Sequence, residues 1–338
     1  MVGERRQGDE AAARAVDLYL THHLDHRISL LTAEGRVRAI LGTGRAGYGG
    51  DGAQAEQALF DSPRGIAVAA DGTIFIADTF NHRVRSIATT GLITTIIGGE
   101  PPDRDPSASL QPLSQPDGVA VDAAGAVYVA DTGNNRVLVR APDGRVNVVA
   151  GTGVSGFSGD GGPARRAHLN APRAVAVDSR GMLYIADTGN NRVRTVDPAG
   201  RIATVVGLSW GGTIPEGGPA LRAHIGAPHG VAVSADGTLV VSDPHQHQVW
   251  RVDPAGRIHA VRGRWTSTSR RPGRTGRPGD GPTSPWTSPT AVALGPEDAL
   301  YVTDPSMQRV WRVRDGRLAT VIGPALPDSN TSTPRSQT

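Results

Sequence analysis

Cysteine and lysine are both missing from this chain of 338 residues, so all 35 of its basic residues are arginine. Without cysteine, the chain can form neither disulfides nor thiolate metal sites. No hydrophobic run approaches the length of a membrane span, and the first ten residues lack the apolar core of a signal peptide. These absences predict a soluble, cytoplasmic protein that does not enter a membrane. The net charge of +3 permits acidic partners without requiring them.

Residues 172–207 contain the unit from which the chain is built. Four short runs rich in β-branched residues follow one another, and turn residues separate them: Val175–Val177, Leu183–Ala186, Val193–Val196 and Ile202–Val206. Such runs predict four antiparallel strands joined by hairpins. A single sheet of this size cannot bury both of its faces, so the unit requires neighbours of the same kind.

An aspartate ends the second run, and it recurs at intervals of 53, 56, 56 and 61 residues, at Asp78, Asp131, Asp187, Asp243 and Asp304. His22 takes the same place 56 residues before Asp78, which makes six units. Four-stranded units of this period are typical of β-propellers. The sequence therefore predicts an all-β fold, a six-bladed β-propeller of four-stranded antiparallel blades. The predicted blades cover about 16–41, 63–98, 116–150, 172–207, 228–262 and 289–323.

Three motifs in the chain resemble the NHL-repeat family of propellers. They are Pro-Arg-Gly-Ile-Ala-Val at 63–68, Ile-Ala-Asp-Thr-Phe-Asn-His-Arg-Val at 76–84, and a glycine-rich loop containing Gly-Asp-Gly-Gly at 151–164. The resemblance extends over roughly residues 16–323 and implies the propeller fold. It leaves the function open, because that family includes scaffolds, RNA binders, sensor domains and a few lyases.

The first blade departs from the pattern. Its residues match the second, third and fourth strands of the other units, but no Pro-x-Gly-Val-Ala-Val stretch precedes them. We therefore predict a first blade lacking its innermost strand, preceded by an irregular or helical arm at 1–15; a misplaced start codon is the alternative. The tail at 324–338 is rich in Pro, Ser and Thr, which predicts disorder. Ring closure is then the expected weak point of the fold.

Strand direction decides where a ligand could bind. In a four-stranded meander, the second hairpin turn shares one face with the long loops between blades, and variable loops on a rigid scaffold are the usual place for recognition. On that loop-rich face, the residue after each blade-opening proline varies while its flanks repeat: Arg64, Asp117, Arg173, His229 and Thr290. We predict that these residues form a channel mouth that binds an anionic or hydrogen-bonding ligand. Solvated rim residues without a ligand are the alternative.

Two repeated acidic patterns are interpreted as structural. The first is an Asp that pairs with an Arg to hold the second turn: Asp78 with Arg83, Asp131 with Arg136, and Asp187 with Arg192. The second is the Gly-Asp-Gly loop, which contains Asp51, Asp160 and Asp280. One carboxylate for each loop is too few for a calcium site, although calcium stays the alternative there.

Two further groups of residues suggest specific ligands. His229, His245 and His247 could together hold a zinc ion with an open position, or they could be exposed turn histidines. An insertion before the sixth blade, at 262–288, contains Arg264, Trp265, Arg270, Arg271, Arg274, Arg277 and Trp286. Arginines interleaved with tryptophans suit single-stranded nucleic acid or an acidic protein, and a solvated loop is the alternative.

The sequence contains no nucleophile paired with a base and no pair of carboxylates at the channel mouth. The first prediction is therefore a non-enzymatic, monomeric scaffold without a cofactor that binds a protein or a small anionic ligand on its loop-rich face. A metal-dependent lyase or lactonase centred on the histidines is the second hypothesis. A binder of single-stranded nucleic acid through residues 262–277 is the third.

Overall fold

The protein is built from six small antiparallel sheets that follow one another along the chain. A computed structural model describes residues 18–32, 36–99, 112–207, 216–261, 264–265, 285–295 and 299–323. Each sheet is one blade, and the blades are numbered 1 to 6 in chain order. The predicted arm at 1–15 and the predicted tail at 324–338 lie outside the described residues.

Blade 1 contains the strands Leu18–His22, Arg27–Leu31 and Val37–Leu41. Blade 2 contains Pro63–Val68, Ile74–Asp78, Arg83–Ile87 and Ile93–Gly98. Blade 3 contains Pro116–Val121, Val127–Asp131, Arg136–Arg140 and Val146–Ala150. Blade 4 contains Ala174–Val177, Leu183–Asp187, Arg192–Val196 and Ile202–Val206. Blade 5 contains Gly218–Pro219, Gly230–Val233, Leu239–Asp243, Gln248–Val252 and Arg257–Ala260. Blade 6 contains Arg264–Trp265, Ala291–Leu294, Leu300–Asp304, Arg309–Arg314 and Arg317–Ile322.

Helical structure within the described ranges consists of single 3₁₀ turns in loops: Ala55–Gln57, Thr79–Asn81, Thr132–Asn134, Ala164–Arg166, Thr188–Asn190, Ala220–Arg222 and Pro305–Met307. No helix in these ranges is long and apolar enough to span a membrane.

The blades form a ring whose innermost strands are Pro63–Val68, Pro116–Val121, Ala174–Val177, Gly230–Val233 and Ala291–Leu294 in blades 2 to 6. In blades 2 to 5 the innermost strand packs against that of the next blade, as Pro63–Val68 does against Pro116–Val121. In blade 1, Leu18–His22 packs against Pro63–Val68, and the described part of this blade has three strands. The predicted six-bladed propeller with an incomplete first blade is confirmed.

Apolar clusters fill the interfaces between neighbouring blades. The second strand is buried along its whole length in blades 2, 4 and 5, because another blade covers each face of the sheet. This explains the nearly continuous apolar sequence of Leu183–Asp187. Between blades 6 and 1, by contrast, the buried residues of the cluster are Leu18, Leu31, Ala299 and Tyr301 within the described part of the chain. Among the described residues, this is the smallest of the clusters between blades.

In each of blades 2 to 6, the repeated aspartate accepts a hydrogen bond from the loop that precedes the blade. In every case the carboxylate is fully buried and accepts a backbone N–H from the residue seventeen positions earlier, at 2.6–2.8 Å. The donors are Asp61, Ser114, Asn170, Gly226 and Thr287. A buried backbone N–H needs such an acceptor, which accounts for the recurrence of the acid.

The arginine partners of these aspartates differ from the prediction in two blades. Arg136 Nε donates to Asp131 at 2.7 Å, so the predicted pair in blade 3 is confirmed. In blade 2, Arg85 Nη1 instead lies 3.7 Å from Asp78 Oδ2. In blade 4, Arg194 Nη1 lies 3.4 Å from Asp187 Oδ2. The predicted pairs of Asp78 with Arg83 and of Asp187 with Arg192 were wrong.

The residue seven positions after each aspartate explains why the arginine partner differs between the blades. In blades 2 and 4 that residue is an arginine whose side chain is fully buried, and its guanidinium occupies the space beside the carboxylate. The displaced Arg192 donates instead to the carbonyl oxygen of Gly207 at 3.0 Å. Blade 3 has Leu138 at this position, which leaves room for Arg136.

Candidate functional site

The five predicted mouth residues line a single cavity at the centre of the ring. Its volume is about 510 Å³, and it contains Arg64, Asp117, Arg173, His229 and Thr290 at its polar end. His23 and Thr21 of blade 1 border the same end, although sequence reasoning did not include them. Their positions could have been inferred, because a blade without an innermost strand exposes its second strand and second turn to the channel.

Charges alternate around the mouth. Arg64 Nη1 donates to Asp117 Oδ2 at 3.0 Å, across the boundary between blades 2 and 3. The Arg64 Nε atom is buried and has no hydrogen-bond partner among the described residues. Arg173 lines the cavity next in the ring, and its guanidinium makes no hydrogen bond or ion pair within the described part of the chain. The mouth therefore presents more positive charge than its one carboxylate neutralises.

Burial shifts the pKa values of two mouth residues. It raises the pKa of Asp117, and the positive charges of Arg64 and Arg173 only partly offset this effect. Burial, followed by the nearby charges of Arg173, His245 and Arg64, lowers the pKa of His229 to about 4. His229 is consequently a neutral imidazole at physiological pH.

Below the mouth, the channel is lined by aliphatic side chains, among them Ile66, Val119, Val175, Val231 and Val292 of the five innermost strands. The cavity also reaches the second strands of two blades, at Leu18–Thr21 in blade 1 and at Tyr301 and Thr303 in blade 6. In blades 2 to 5 no second-strand residue lines it. The cavity thus borders the second strand of blade 1, the blade in which no innermost strand is described.

The three histidines proposed for zinc do not form a metal-binding group. His229 lines the cavity, whereas His245 is exposed in the second turn of blade 5. The His247 Nδ1 atom contacts the carbonyl oxygen of Thr287. Among the described residues, no cluster of three or more His, Asp or Glu side chains could hold a metal ion.

The glycine-rich loops use their aspartates to hold buried arginines. Asp51 Oδ1 accepts from Arg85 Nη2 at 2.7 Å, and Asp160 Oδ1 accepts from Arg194 Nη2 at the same distance. The other carboxylate oxygen of Asp160 accepts the Thr204 hydroxyl at 2.7 Å. These contacts give both aspartates a structural role. Asp280 lies outside the described residues.

Only a small part of the arginine-rich insertion is described. Arg264–Trp265 forms a short strand that pairs in parallel with Arg317–Ile322, while Arg270, Arg271, Arg274 and Arg277 lie outside the described residues. Trp286 is not a stacking surface, because it is 4% exposed and packs in the apolar cluster between blades 5 and 6. That part of the nucleic-acid hypothesis was wrong.

The loop-rich face exposes several large apolar side chains. They belong to the second turns of blades 1 and 2 and to the two glycine-rich loops: Leu24, Tyr48, Phe80, Val154 and Phe157. Two of these rings stack on arginines. The Cζ atom of Arg83 lies 3.3 Å from the centre of the Tyr48 ring, and that of Arg192 lies 4.1 Å from the centre of the Phe157 ring. This face combines apolar and cationic surface.

Comparison with known proteins gives two family matches. The Teneurin NHL domain matches residues 17–103 and 139–215, and the NHL repeat matches residues 113–139. Teneurin-m of Drosophila melanogaster is 31% identical over 300 residues, which cover 81% of this chain and 10% of that protein. Teneurin-1 of Mus musculus is 32% identical over 228 residues, or 57% of this chain and 8% of that protein. The chain thus spans about a tenth of the length of these relatives.

Solved structures share the fold at lower identity. Virginiamycin B lyase from Staphylococcus aureus aligns with a TM-score of 0.55 and 14% identity, over 91% of this chain and 81% of that chain. A streptogramin B lyase aligns with a TM-score of 0.54 and 16% identity, over 90% and 78% of the two chains. At such identities the likeness concerns the fold alone. The repeated blades, the motifs and the two family matches together show that this chain belongs to the NHL-repeat family of β-propellers.

Proposed function

We propose that the protein binds a small organic anion at the mouth of its central channel. The observation that carries the proposal is the Arg173 guanidinium, which lines the cavity without a hydrogen bond or ion pair to any described residue. A half-buried guanidinium gains a charge-assisted hydrogen bond when an anion binds, and Arg173 makes no such bond to a described residue.

The neighbouring groups favour an anion with a single negative charge. Arg64 contributes a second guanidinium, Asp117 neutralises one of the two positive charges, and His229 is neutral at physiological pH. The net charge of these four groups is therefore about one positive unit while Asp117 is ionised. A guanidinium binds a carboxylate or sulfonate through two parallel hydrogen bonds, so either group suits this position.

The channel below the mouth favours an apolar body on the same ligand. Its walls are aliphatic, and its volume of 510 Å³ falls within the range of about 300–1,000 Å³ that small-molecule sites occupy. An aliphatic carboxylate would place its charged group near Arg173 and its chain between the innermost strands. The exposed apolar side chains of the loop-rich face also suit a larger ligand, a protein that presents such an anionic group.

The proposal is tested by calorimetric titration of the protein with hexanoate and hexanesulfonate. We expect saturable binding that Arg173→Ala weakens at least about tenfold, because the variant loses a charge-assisted pair. Arg145→Ala is the matched control, since its side chain is 81% exposed in a turn of the opposite face. Equal affinity in both variants, or no binding of either anion, would contradict the proposal.

Lyase chemistry is the second candidate function. Neutral His229 lines the same cavity as Arg173 and could accept a proton from a bound anion, and two solved structures with this fold are lyases. Proton NMR spectra of the protein mixed with 3-acetoxyhexanoate distinguish the two functions, because loss of a C2 proton to His229 and of acetate from C3 would give 2-hexenoate. A new product that accumulates with time supports the lyase, and an unchanged ligand supports binding.

A further inference from the structure

One oxygen of the Asp117 carboxylate accepts no hydrogen bond from the described part of the chain. Its Oδ2 atom accepts from Arg64 Nη1 at 3.0 Å, whereas its Oδ1 atom has no such donor. The side chain is 16% exposed, so water has little access to this second oxygen. An ionised carboxylate can accept about four hydrogen bonds. Asp117 can therefore accept a further donor from a ligand in the cavity that it lines.

Arg173 lies close to Asp117 without forming an ion pair with it. The innermost strands of blades 3 and 4 approach each other closely just after Asp117, because a Cβ added at Gly118 would meet the carbonyl oxygen of Arg173. The positive charge of Arg173 also acts on the Asp117 carboxylate and favours its ionised form. Even so, Asp117 pairs with Arg64, and the Arg173 guanidinium makes no ion pair with any described residue. A ligand that carries both an anion and a donor can bridge the two side chains.

We propose that the mouth binds a 2-hydroxycarboxylate with an aliphatic chain, whose carboxylate pairs with Arg173 while its hydroxyl donates to Asp117 Oδ1. This inference rests on the anion site proposed above and adds the group that stands beside the charge. The hydroxyl belongs on C2, because Asp117 and Arg173 come from adjacent innermost strands and meet the same end of the ligand. The rest of the chain then lies among aliphatic residues such as Val119 and Val175.

The loss of water from Asp117 favours a ligand that brings a donor. A ligand that fills the mouth displaces water from Oδ1, and an ionised acceptor left without a donor is costly. Hydrogen bonds to a charged acceptor are also stronger than those between neutral groups. Hexanoate offers no donor to Asp117, whereas 2-hydroxyhexanoate offers its hydroxyl. The same carboxylate should therefore discriminate between the two anions.

The charge of the mouth favours a hydroxyl over an ammonium as this donor. Arg64 already forms an ion pair with Asp117, and Arg173 adds a second positive charge. Burial, followed by the charges of Arg173, His245 and Arg64, lowers the pKa of His229 to about 4, so this end of the cavity opposes a further cation. A hydroxyl donates a hydrogen bond without adding positive charge. A 2-hydroxy acid is therefore favoured over the corresponding 2-amino acid.

The test is calorimetric titration of the full chain at pH 8 with hexanoate and four relatives: the two enantiomers of 2-hydroxyhexanoate, 2-methoxyhexanoate and 2-aminohexanoate. We expect one enantiomer of 2-hydroxyhexanoate to bind at least about tenfold more tightly than hexanoate, because its hydroxyl donates to a charged acceptor. The methoxy compound keeps the oxygen but has no proton to donate, so it should lose this advantage. The amino compound should bind more weakly than the hydroxy compound.

Asp117→Asn separates recognition of the hydroxyl from general affinity for anions. The neutral amide cannot supply a charge-assisted bond, so the advantage of 2-hydroxyhexanoate over hexanoate should fall below about threefold. Hexanoate itself should bind the variant more tightly, because the competing negative charge has been removed. A misfolded variant would not change the two quantities in opposite directions. Arg145→Ala, in an exposed turn of the opposite face, is the control and should leave both affinities unchanged.

The outcomes distinguish this inference from the anion site on which it rests. Equal affinity for hexanoate, 2-methoxyhexanoate and both enantiomers of 2-hydroxyhexanoate would overturn the inference and leave the anion site standing. A hydroxyl advantage that persists in Asp117→Asn would also overturn it, because another group would then accept the hydroxyl. Tightest binding of 2-aminohexanoate would identify an amino acid as the ligand instead. The absence of binding by every anion would overturn both the site and the inference.

Discussion

Asp117 controls the charge that a ligand meets at the channel mouth. Burial raises its pKa, so on acidification it takes up a proton earlier than an ordinary aspartate. His229 has a pKa of about 4 and stays neutral over most of the same interval. As the pH falls from 7, protonation of Asp117 and of His229 therefore makes the mouth more positive.

Protonation of these two groups predicts that anion affinity rises as the pH falls from 7 toward 4. Asp117→Asn should raise the affinity at pH 7 about tenfold, because it removes the negative charge that competes with the ligand for Arg64 and Arg173. The variant should also show a smaller change of affinity with pH than the unmodified protein. Hexanesulfonate is the suitable probe for calorimetry, since it stays ionised over this range. An affinity that falls on acidification would refute the assignment.

Individual residues also show the limit of reasoning from sequence. The five mouth positions could be predicted, because they vary in charge and polarity within a motif whose other positions keep their chemical type. The partners of Asp78 and Asp187 could not, because the choice between two nearby arginines depends on which side chain is buried in the blade interface. His23 was missed for a related reason: its place beside the channel follows from a strand that blade 1 lacks among its described residues.

At the scale of the element, the repeated aspartate joins three parts of a blade. Asp187 accepts the Asn170 N–H of the entering loop at 2.7 Å and the Asn190 side chain of the second turn at 2.8 Å. It also faces the fully buried Arg194. One carboxylate thereby connects the loop, the turn and the third strand.

Asp187→Ala should lower the free energy of unfolding by about 3 kcal/mol or more, because it leaves the buried Arg194 charge without this partner and the Asn170 N–H without an acceptor. Burial raises the pKa of Asp187 to about 6, so urea unfolding is best measured at pH 8, where the carboxylate is ionised. Asp143→Ala, in an exposed hairpin, is the control and should change stability by less than about 0.5 kcal/mol. Similar losses in both variants would show that the network contributes little.

The repeat itself could be predicted at this scale because its signals are local. Proline opens each innermost strand, glycine closes the hairpins, and the aspartate returns at a nearly constant interval. The insertion before blade 6 does not follow the repeat, and sequence reasoning misassigned Trp286 to its surface. Burial of Trp286 beside Trp311 depends on the contact between blades 5 and 6, which no local pattern records.

At the scale of the whole molecule, the ring is expected to open first between blades 6 and 1. That interface has the smallest cluster of fully buried residues, and Leu18–His22 has one strand partner among the described residues. The interface between blades 3 and 4 contains a much larger cluster, which includes Leu169, Ile185 and Ile202. Local opening follows buried apolar contact, so the two interfaces should differ in stability.

Hydrogen exchange measured by mass spectrometry checks this expectation. Amides of Leu18–His22 and Arg27–Leu31 should exchange at least about tenfold faster than those of Leu183–Asp187, since they are released by local opening rather than by global unfolding. Equal protection of blades 1 and 4 would show that the interface between blades 6 and 1 is as stable as the interface between blades 3 and 4. In that case the smaller buried cluster described between blades 6 and 1 would have no measurable consequence for local stability.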